Sequence, residues 1–462
     1  MESLSLRSNA IKGGGYLIFR QGLGVILNIV AVLVITKIIG THAYGIYSAS
    51  FGVSQFMFQF LQLGVNIYLI RASQKELLKE DIDQSFSIFL ILGIVFIGCS
   101  YPLSYLIFFI NGLEGIIPVS FIVLATVSCQ LLSLVPLALL ERSLQYKVIA
   151  TVELIGQITY IVITTFLALS GFKVWSPVLG WLTQQIVLAI LLYVKSGYKP
   201  RWYWNLDRLR VITSYGLSYS VSVWVWQTRL LINPILVGRF LGAEAVGIIA
   251  IALRITESLS FARTALWRLG ISLFAKVQED RSRLLRGIEE GRKLQLLGVA
   301  PFLIGFNLIA PLFLDMFVDV SWMQIKNLFP IMAVNVLLGT FFSMQSTVLY
   351  VLRHNNDMTL FHLSFVALFY ILSIYFIPRY GVIGYSIAEL FASSSFIILY
   401  VIFNKRVATL NSRYSLFWLL AFCFAMFWNQ LGIISIIPLF IGLIYPDSWK
   451  YLFSLKNNIL RK

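Results

Sequence analysis

Charged residues are scarce in this sequence. Asp, Glu, Lys and Arg together make up 12% of the 462 residues, whereas 59% are hydrophobic and the mean hydropathy is +0.84. This balance excludes a disordered chain and an ordinary water-soluble globular protein. Cysteine is also rare: Cys99, Cys129 and Cys423 all lie inside apolar runs, which excludes a disulfide scaffold and indicates small hydrophobic side chains rather than metal ligands. We therefore predict neither a metal site nor a cofactor.

Motifs of nucleotide chemistry are missing as well. No G-x-x-x-x-G-K-[ST] sequence occurs, which excludes nucleotide hydrolysis by a P-loop. Asp81-Ile82-Asp83 matches the D-x-D pattern of glycosyltransferases, but it lies in a short loop between apolar runs, with no room for a nucleotide-sugar domain. The sequence therefore predicts that the chain is not an enzyme.

Long apolar runs occupy most of the chain. A bilayer core of about 30 Å needs roughly 20 apolar residues per helix, and twelve segments of suitable length precede residue 404. They are residues 14–39, 46–70, 85–110, 116–140, 148–170, 176–194, 217–241, 246–274, 294–317, 327–352, 358–377 and 384–403. Residues 416–445 form either one further long helix or two short helices broken near Asn429, Gln430 and Gly432. The predicted fold class is an all-α polytopic integral membrane protein, whose first span we expect to remain uncleaved.

The basic residues are distributed asymmetrically. Most of the 36 Lys and Arg residues lie in the N-terminal leader, in every second loop and in the C-terminal tail, whereas the opposite loops hold only Lys173, Lys326 and Arg379. By the positive-inside rule, both termini are predicted to lie in the cytoplasm. Fourteen spans would keep the basic tail on that side, with twelve or thirteen as the alternative. The same asymmetry accounts for the net charge of +16, so we expect no nucleic-acid partner.

A short motif occurs twice, once in each half of the chain. Residues 40–46 read G-T-H-A-Y-G-I, and 202 residues later residues 242–248 read G-A-E-A-V-G-I, so both fit G-x-x-A-x-G-I. Six predicted spans separate the two copies, which gives both halves the same orientation, as in transporters built from parallel repeats. We therefore predict an N-terminal six-helix bundle over 1–206, a C-terminal six-helix bundle over 207–414, and a helix pair with a basic tail over 415–462.

Polar side chains recur at helical spacing inside several spans. On the second span Gln55, Gln59, Gln62 and Asn66 fall at i, i+4, i+7 and i+11, on one face of a continuous helix. Similar rows contain Ser222, Trp226, Arg229 and Asn233 on the seventh span, Glu257, Thr264 and Arg268 with Arg254 nearby on the eighth, and Glu153, Gln157, Tyr160 and Thr164 on the fifth, while the first span carries Arg20.

These rows indicate a polar interior. An arginine facing lipid at a helix centre costs about 2.5 to 3.5 kcal/mol, so such residues should face inward. The interior is either dry, with Arg254 paired to Glu257, or a wet cavity that receives an anion. Four helices with polar faces together favour the cavity. Because guanidinium groups match phosphate oxygens in bidentate fashion, a diphosphate headgroup is a suitable ligand.

At these residues the sequence resembles the bacterial oligosaccharide-lipid (polysaccharide) flippases of the MOP superfamily, the group that also contains multidrug antiporters and lipid II flippases. The resemblance rests on Lys12-Gly13-Gly14 before a first span with Arg20, on Ile38-Ile39-Gly40, on Ala43-Tyr44-Gly45-Ile46-Tyr47, and on Leu63-Gly64-Val65 running to Arg71. It extends more loosely across the twelve core spans through the repeat.

The resemblance implies two six-helix bundles around a central cavity that opens alternately to the two sides of the bacterial inner membrane. The implied cargo is an oligosaccharide repeat unit on an undecaprenyl diphosphate carrier, moved outward for O-antigen, capsule or exopolysaccharide biosynthesis. The implied partners are this carrier-linked oligosaccharide, membrane lipid, and polymerase and chain-length components of the same pathway, with the chain itself a monomer.

The candidate site residues follow from the resemblance and from the polar rows. The diphosphate candidates are Arg20 and Arg229 by resemblance, and Arg254 and Arg268 by their place in the rows. The sugar candidates are Gln55, Gln59, Gln62, Asn66, Trp226 and Asn233. Energy could come from a proton or sodium gradient or from the gradient of flipped product; the candidates for proton coupling are Glu153, Glu257, Glu389 and His362.

Two rival functions are weighed against this one. A multidrug or cation antiporter of the same superfamily would take an organic cation, which four cavity arginines would repel. An integral membrane polysaccharide polymerase would bind the same carrier lipid, but such enzymes have a long extracytoplasmic loop, and the outer loops predicted here are short.

Overall fold

The computed structural model describes residues 22, 24, 25, 27–71, 78–317, 323–410 and 412–444, and this part of the chain contains α-helices and no β-strand. The all-α fold class is therefore confirmed. The helices are α1 (Leu27–Ile39), α2 (Thr41–Leu61), α3 (Val65–Arg71), α4 (Lys79–Asn111), α5 (Ile116–Arg142), α6 (Tyr146–Leu169), α7 (Trp175–Ser196), α8 (Leu206–Gln227), α9 (Gly238–Leu259), α10 (Phe261–Val277), α11 (Arg281–Phe317), α12 (Met323–Val351), α13 (Asn355–Tyr380), α14 (Val382–Ala392), α15 (Phe396–Arg406), α16 (Arg413–Ala425), α17 (Trp428–Leu431) and α18 (Ile437–Ile444).

The described helices make the chain a multi-pass membrane protein. Within the described ranges, nine helical stretches are long and apolar enough to cross a membrane, or ten if the bent pair at the C-terminal end counts as one span. This number is below the predicted fourteen for local reasons. The first span is described as a helix only from Leu27, the second is divided after α2, and the seventh and eighth run together over Ser220–Leu259.

The predicted second span is broken between α2 and α3. Leu63 has φ 50° and Gly64 has φ 70°, both in the left-handed region that a continuous α-helix does not use. Glycine takes this conformation readily, whereas leucine does so only under constraint from its surroundings. The prediction that Gln55, Gln59, Gln62 and Asn66 share one face assumed a continuous helix, and the structure shows that this helix is interrupted before Asn66.

The predicted seventh span also leaves the regular helix. After α8 the chain forms a 3-10 helix over Thr228–Leu231 and a π-helix over Asn233–Val237. Pro234 has no N–H group to donate within this stretch. Its carbonyl oxygen accepts a hydrogen bond from Asn111 Nδ2 at 3.4 Å, so part of the irregular backbone is satisfied by a neighbouring helix.

Contacts divide the chain into two compact units. The first contains residues up to Arg254 together with Asn355–Ala388, and the second contains Ile255–His354 with the chain from Glu389 onward. In the first unit α4, α5, α6 and α7 pack together, α2 packs on α5, and α13 packs on α8. In the second, α10, α11 and α12 pack together and α16 lies on α11 and α12. The bundle boundaries at 206 and 414 remain a prediction.

The two copies of the G-x-x-A-x-G-I motif meet inside the first unit. A Cβ atom added to Gly45 would overlap the carbonyl oxygen of Ala243, and one added to Gly247 would overlap that of Thr41. Either Cβ would also lie 3.1 Å from the backbone nitrogen of the other glycine. The contacts are reciprocal across the 202-residue offset, as at a two-fold axis. Thr41 Oγ1 adds a hydrogen bond of 3.4 Å to Glu244 Oε1.

The C-terminal segment of the second unit is a bent helix pair. The axis turns by 65° between Arg413–Ala425 and Trp428–Gly442. A Cβ added to Gly442 would lie 2.9 Å from the Phe417 ring and 3.0 Å from the Trp418 ring, so this end of the segment packs against α16. The sequence left open one long helix or two short ones, and the structure shows a helix that is broken after Ala425.

Candidate functional site

Three of the predicted sugar-binding side chains line one cleft in the first unit. The cleft is open to the outside and has a volume of about 390 Å³. The residues that line it are Gln59, Gln62, Gly64, Asn66, Ser220, Val223 and Trp224. The helix break after α2 moves Asn66 onto α3, yet the fold keeps it beside Gln59 and Gln62. Gln55, the fourth member of the row, lies outside this lining, and its buried Oε1 has no hydrogen-bond partner in the described part of the chain.

Hydrogen bonds hold the cleft in shape. Trp224 Nε1 on α8 donates to the backbone oxygen of Gln59 at 3.2 Å, and Gln62 Nε2 donates to Gln59 Oε1 at 3.3 Å. The Trp224 ring also lies 4.7 Å from that of Phe60. An indole fixed in this way beside three amide side chains forms a wall with both a flat apolar face and hydrogen-bonding groups.

A second group of predicted residues surrounds the irregular part of the seventh span. The Arg229 guanidinium lies 4.9 Å from the centre of the Trp226 ring, and that ring lies 4.8 Å from the His362 ring of α13. His362 Nδ1 is 3.0 Å from the backbone oxygen of Ser222. Because a carbonyl oxygen can only accept, Nδ1 carries the hydrogen in this arrangement. The buried Nε of Arg229 has no hydrogen-bond partner among the described residues.

Helix α2 connects these groups within the first unit. A Cβ added to Gly52 would lie 3.3 Å from Pro234 and 3.5 Å from the oxygen of Leu230, so α2 packs closely on the irregular segment. At the neighbouring residue of α2, the Arg254 guanidinium lies 5.2 Å from the centre of the Phe51 ring. Helix α2 therefore carries Gln55 and Gln59 and also contacts the irregular segment and the Arg254 side chain.

The remaining candidates lie elsewhere. Asn233 is buried, and its Nδ2 donates to the oxygen of Val246 at 3.3 Å. Glu153 is half-buried and lines a different cleft of about 520 Å³ between α5, α6 and α7. Glu389 accepts a hydrogen bond from Asn335 Nδ2 at 3.2 Å, and Glu257 is exposed.

Two of the four predicted arginines cannot be placed. Arg20 and the side chain of Arg268 lie outside the residues that the structure describes. The convergence of all four arginines on one chamber therefore stays a prediction.

Sequence reasoning missed some residues of interest. Ser220 and Trp224 line the cleft beside Gln59, Gln62 and Asn66. Their i, i+4 spacing was the available signal, but the predicted row with Ser222 and Trp226 lies on the neighbouring face of α8. Arg292 lies just before the predicted span 294–317. In the structure α11 already begins at Arg281, and Arg292 is a fully buried residue of this helix. Arg292 Nη1 donates to Ser412 Oγ at 2.6 Å, and its Nε and Nη2 have no hydrogen-bond partner within the described ranges.

The fold is that of the transporters of the MOP superfamily. It matches the solved structure of the lipid II flippase MurJ in its inward closed conformation, with a TM-score of 0.74 and 16% identity over 98% of this chain and 100% of that one. It also matches an inward-facing MATE family multidrug transporter, with a TM-score of 0.61 and 15% identity over 85% of this chain and 94% of that one.

The family follows from the sequence comparison. Residues 34–327, more than half of the chain, match the polysaccharide biosynthesis protein family, and the chain belongs to this family. Among its relatives are the teichuronic acid biosynthesis protein TuaB of Bacillus subtilis, 23% identical over 51% of this chain and 50% of TuaB, and the succinoglycan biosynthesis transport protein ExoT of Rhizobium meliloti, 22% identical over 62% of this chain and 57% of ExoT. The chain thus spans about half the length of these relatives. The resemblance inferred from the sequence is confirmed.

Proposed function

We propose that the chain is a flippase that moves an undecaprenyl-diphosphate-linked oligosaccharide across the bacterial inner membrane for surface polysaccharide biosynthesis. The observation that carries the proposal is the cleft in which Gln59, Gln62 and Asn66 stand beside Trp224, in a member of a polysaccharide biosynthesis family. Amide groups both donate to and accept from sugar hydroxyls, and an indole face packs on the apolar face of a sugar ring. The sugar would enter this cleft.

The diphosphate would be bound by arginine. Arg229 has a buried Nε without a partner in the described residues, and the Arg254 guanidinium lies 5.2 Å from the centre of the Phe51 ring of α2. The Arg229 guanidinium lies 4.9 Å from the centre of the Trp226 ring, a contact that stabilises its charge without using its hydrogen-bond donors. The Arg229 Nε is then available to a phosphate oxygen. Arg20 and Arg268 would complete the set.

Transport would require the two motif copies to separate. Their reciprocal contact at Gly45 and Gly247 would then be the closed state of one end of the transport path. Alternating access opens and closes such an end in turn. If protons drive this cycle, we favour His362, whose ring lies 4.8 Å from the Trp226 ring that the Arg229 guanidinium also faces. Glu153, Glu257 and Glu389 are the further candidates.

Further properties belong to the same proposal. The chain would act as a monomer without catalytic activity of its own, with both termini in the cytoplasm. It would deliver the translocated oligosaccharide to the polymerase and chain-length components of its pathway. A multidrug antiporter and a membrane polysaccharide polymerase are the alternatives.

Deletion of the gene tests the function. Lipid-linked repeat units should build up in the inner leaflet while glycosyl transfer onto the carrier continues, and wild-type protein should restore export. The double variant Gln59→Leu/Gln62→Leu should fail to restore export at normal protein abundance. Gln278→Leu, the same change at an exposed position after α10, should restore it fully.

The alternatives predict other results. A change of polymer length with normal translocation would establish the polymerase function instead. Loss of organic-cation efflux without accumulation of lipid-linked sugar would establish the antiporter.

A further inference from the structure

The linker between α7 and α8, residues 197–205, carries two exposed indoles. Trp202 is 62% exposed and Trp204 is 42% exposed, and their rings stack at 6.3 Å with an angle of 15° between the planes. The linker directly follows Trp175–Ser196, a helix long and apolar enough to cross a membrane, so it lies at a membrane surface. Large aromatic side chains on a water-facing loop are costly, whereas the interface between headgroups and acyl chains favours them.

The backbone of the linker is held by hydrogen bonds on the first turns of α4. The N–H of Tyr203 donates to Ser87 Oγ at 3.0 Å, and the N–H of Asn205 donates to Gln84 Oε1 at 2.8 Å. The Tyr203 O–H also donates to Glu80 Oε2 of α4 at 3.3 Å, so the linker is held on α4 while both indoles remain exposed.

A hydrogen bond from the phenol of Tyr198 holds the beginning of the linker on α4. Tyr198 donates its O–H to the buried carboxylate of Asp83 at 2.9 Å. Burial, and then this carboxylate, raise the pKa of Tyr198 well above its ordinary value, so the phenol remains a donor at physiological pH.

Exposed basic residues accompany the indoles. Lys199 and Arg201 are exposed within the linker, and Lys195 and Arg210 are exposed on the helices that flank it. Basic side chains next to interfacial tryptophans are suited to the phosphates of anionic lipids, with the aromatic rings at the acyl boundary.

We propose that residues 197–205 form a binding surface for anionic phospholipid, in which Trp202 and Trp204 insert between headgroups and Lys199 and Arg201 bind lipid phosphate. The partner is the lipid surface itself rather than a second protein, because the linker directly follows a helix long and apolar enough to cross a membrane. The proposal does not depend on the transported substrate.

Fluorine NMR of the full chain in nanodiscs tests the insertion. The chain has eleven tryptophans; after 5-fluorotryptophan labelling, Trp202→Phe and Trp204→Phe each remove one line and so assign it. With phosphatidylglycerol and phosphatidylcholine present, both lines should broaden with a lipid that bears a nitroxide near its headgroup. The line of Trp418, which is 8% exposed, should respond weakly. Broadening of the Trp202 and Trp204 lines by a water-soluble gadolinium chelate alone would overturn the proposal.

A titration tests the charge. Raising the fraction of phosphatidylglycerol should shift both assigned lines. Lys199→Gln/Arg201→Gln should weaken the apparent affinity about 25-fold, from roughly a fivefold loss per charge. The matched control Arg283→Gln/Arg286→Gln removes two exposed charges from α11 and should change the affinity by less than about twofold. An equal loss in both variants would show diffuse attraction instead of a defined surface and would refute the proposal.

Discussion

A methyl group on Gly45 should force the two motif copies apart. The Cβ of Gly45→Ala would fall well inside the 3.0 Å limit that real Cβ atoms keep, and its neighbour is the backbone oxygen of Ala243, which cannot rotate away. Overpacking of this kind typically costs about 1–3 kcal/mol. At 1.4 kcal/mol per factor of ten, the closed contact would lose roughly 5- to 150-fold in population relative to separated copies.

The control is Gly98→Ala. Gly98 lies in α4, and a Cβ there would meet no atom within 4 Å. Both glycines are helical, so intrinsic propensity favours alanine at each by up to about 1 kcal/mol. An opposite effect at Gly45 therefore measures the clash alone.

Cross-linking reports the contact. Thr41 Oγ1 and Glu244 Oε1 are 3.4 Å apart, so Thr41→Cys/Glu244→Cys, made without the native cysteines, should cross-link with a short thiol reagent in membranes. Gly45→Ala should reduce the cross-linked fraction, and Gly247→Ala should reduce it equally because the contact is reciprocal. Normal cross-linking with either alanine, or an effect from only one of them, would refute the two-fold closure described here.

Three further outcomes are expected. Arg229→Ala should abolish export at unchanged protein abundance. Arg263→Ala, at an arginine of α10 that belongs to none of the polar rows, should have little effect; equal loss with reduced membrane insertion in both would indicate structural roles. Arg292→Met should leave the free energy of unfolding unchanged or raise it by up to about 4 kcal/mol. The reason is that the variant removes a buried guanidinium whose Nε and Nη2 lack hydrogen-bond partners within the described ranges. Marked destabilisation in a thermal unfolding assay would contradict this. Tyr198→Phe should destabilise the fold by about 1–3 kcal/mol, because the Asp83 carboxylate loses a hydrogen-bond donor. Since burial raises the pKa of Tyr198, the wild-type protein should be more stable than the variant below about pH 10, and this difference in stability should decline as the pH rises further.

The candidate site was only partly predictable. Gln59, Gln62 and Asn66 do share a cleft, but the uninterrupted helix that grouped them ends at Leu61. The positive φ of Leu63 could not be anticipated, because leucine disfavours that conformation and adopts it here under constraint from surrounding structure. Trp224 was missed because hydropathy does not say which face of α8 meets α2.

By itself, the sequence determined that the chain is an all-helical membrane protein of a polysaccharide biosynthesis family with an internal repeat. These properties depend on the length of apolar runs and on local motifs, which are written in consecutive residues. Only the tertiary structure decided that Gly45 and Gly247 touch across 202 residues, that Arg292 is buried against Ser412, and that the linker turns its indoles outward. Each of these depends on the packing of segments far apart in the chain, and no local pattern encodes which distant surface a side chain will meet.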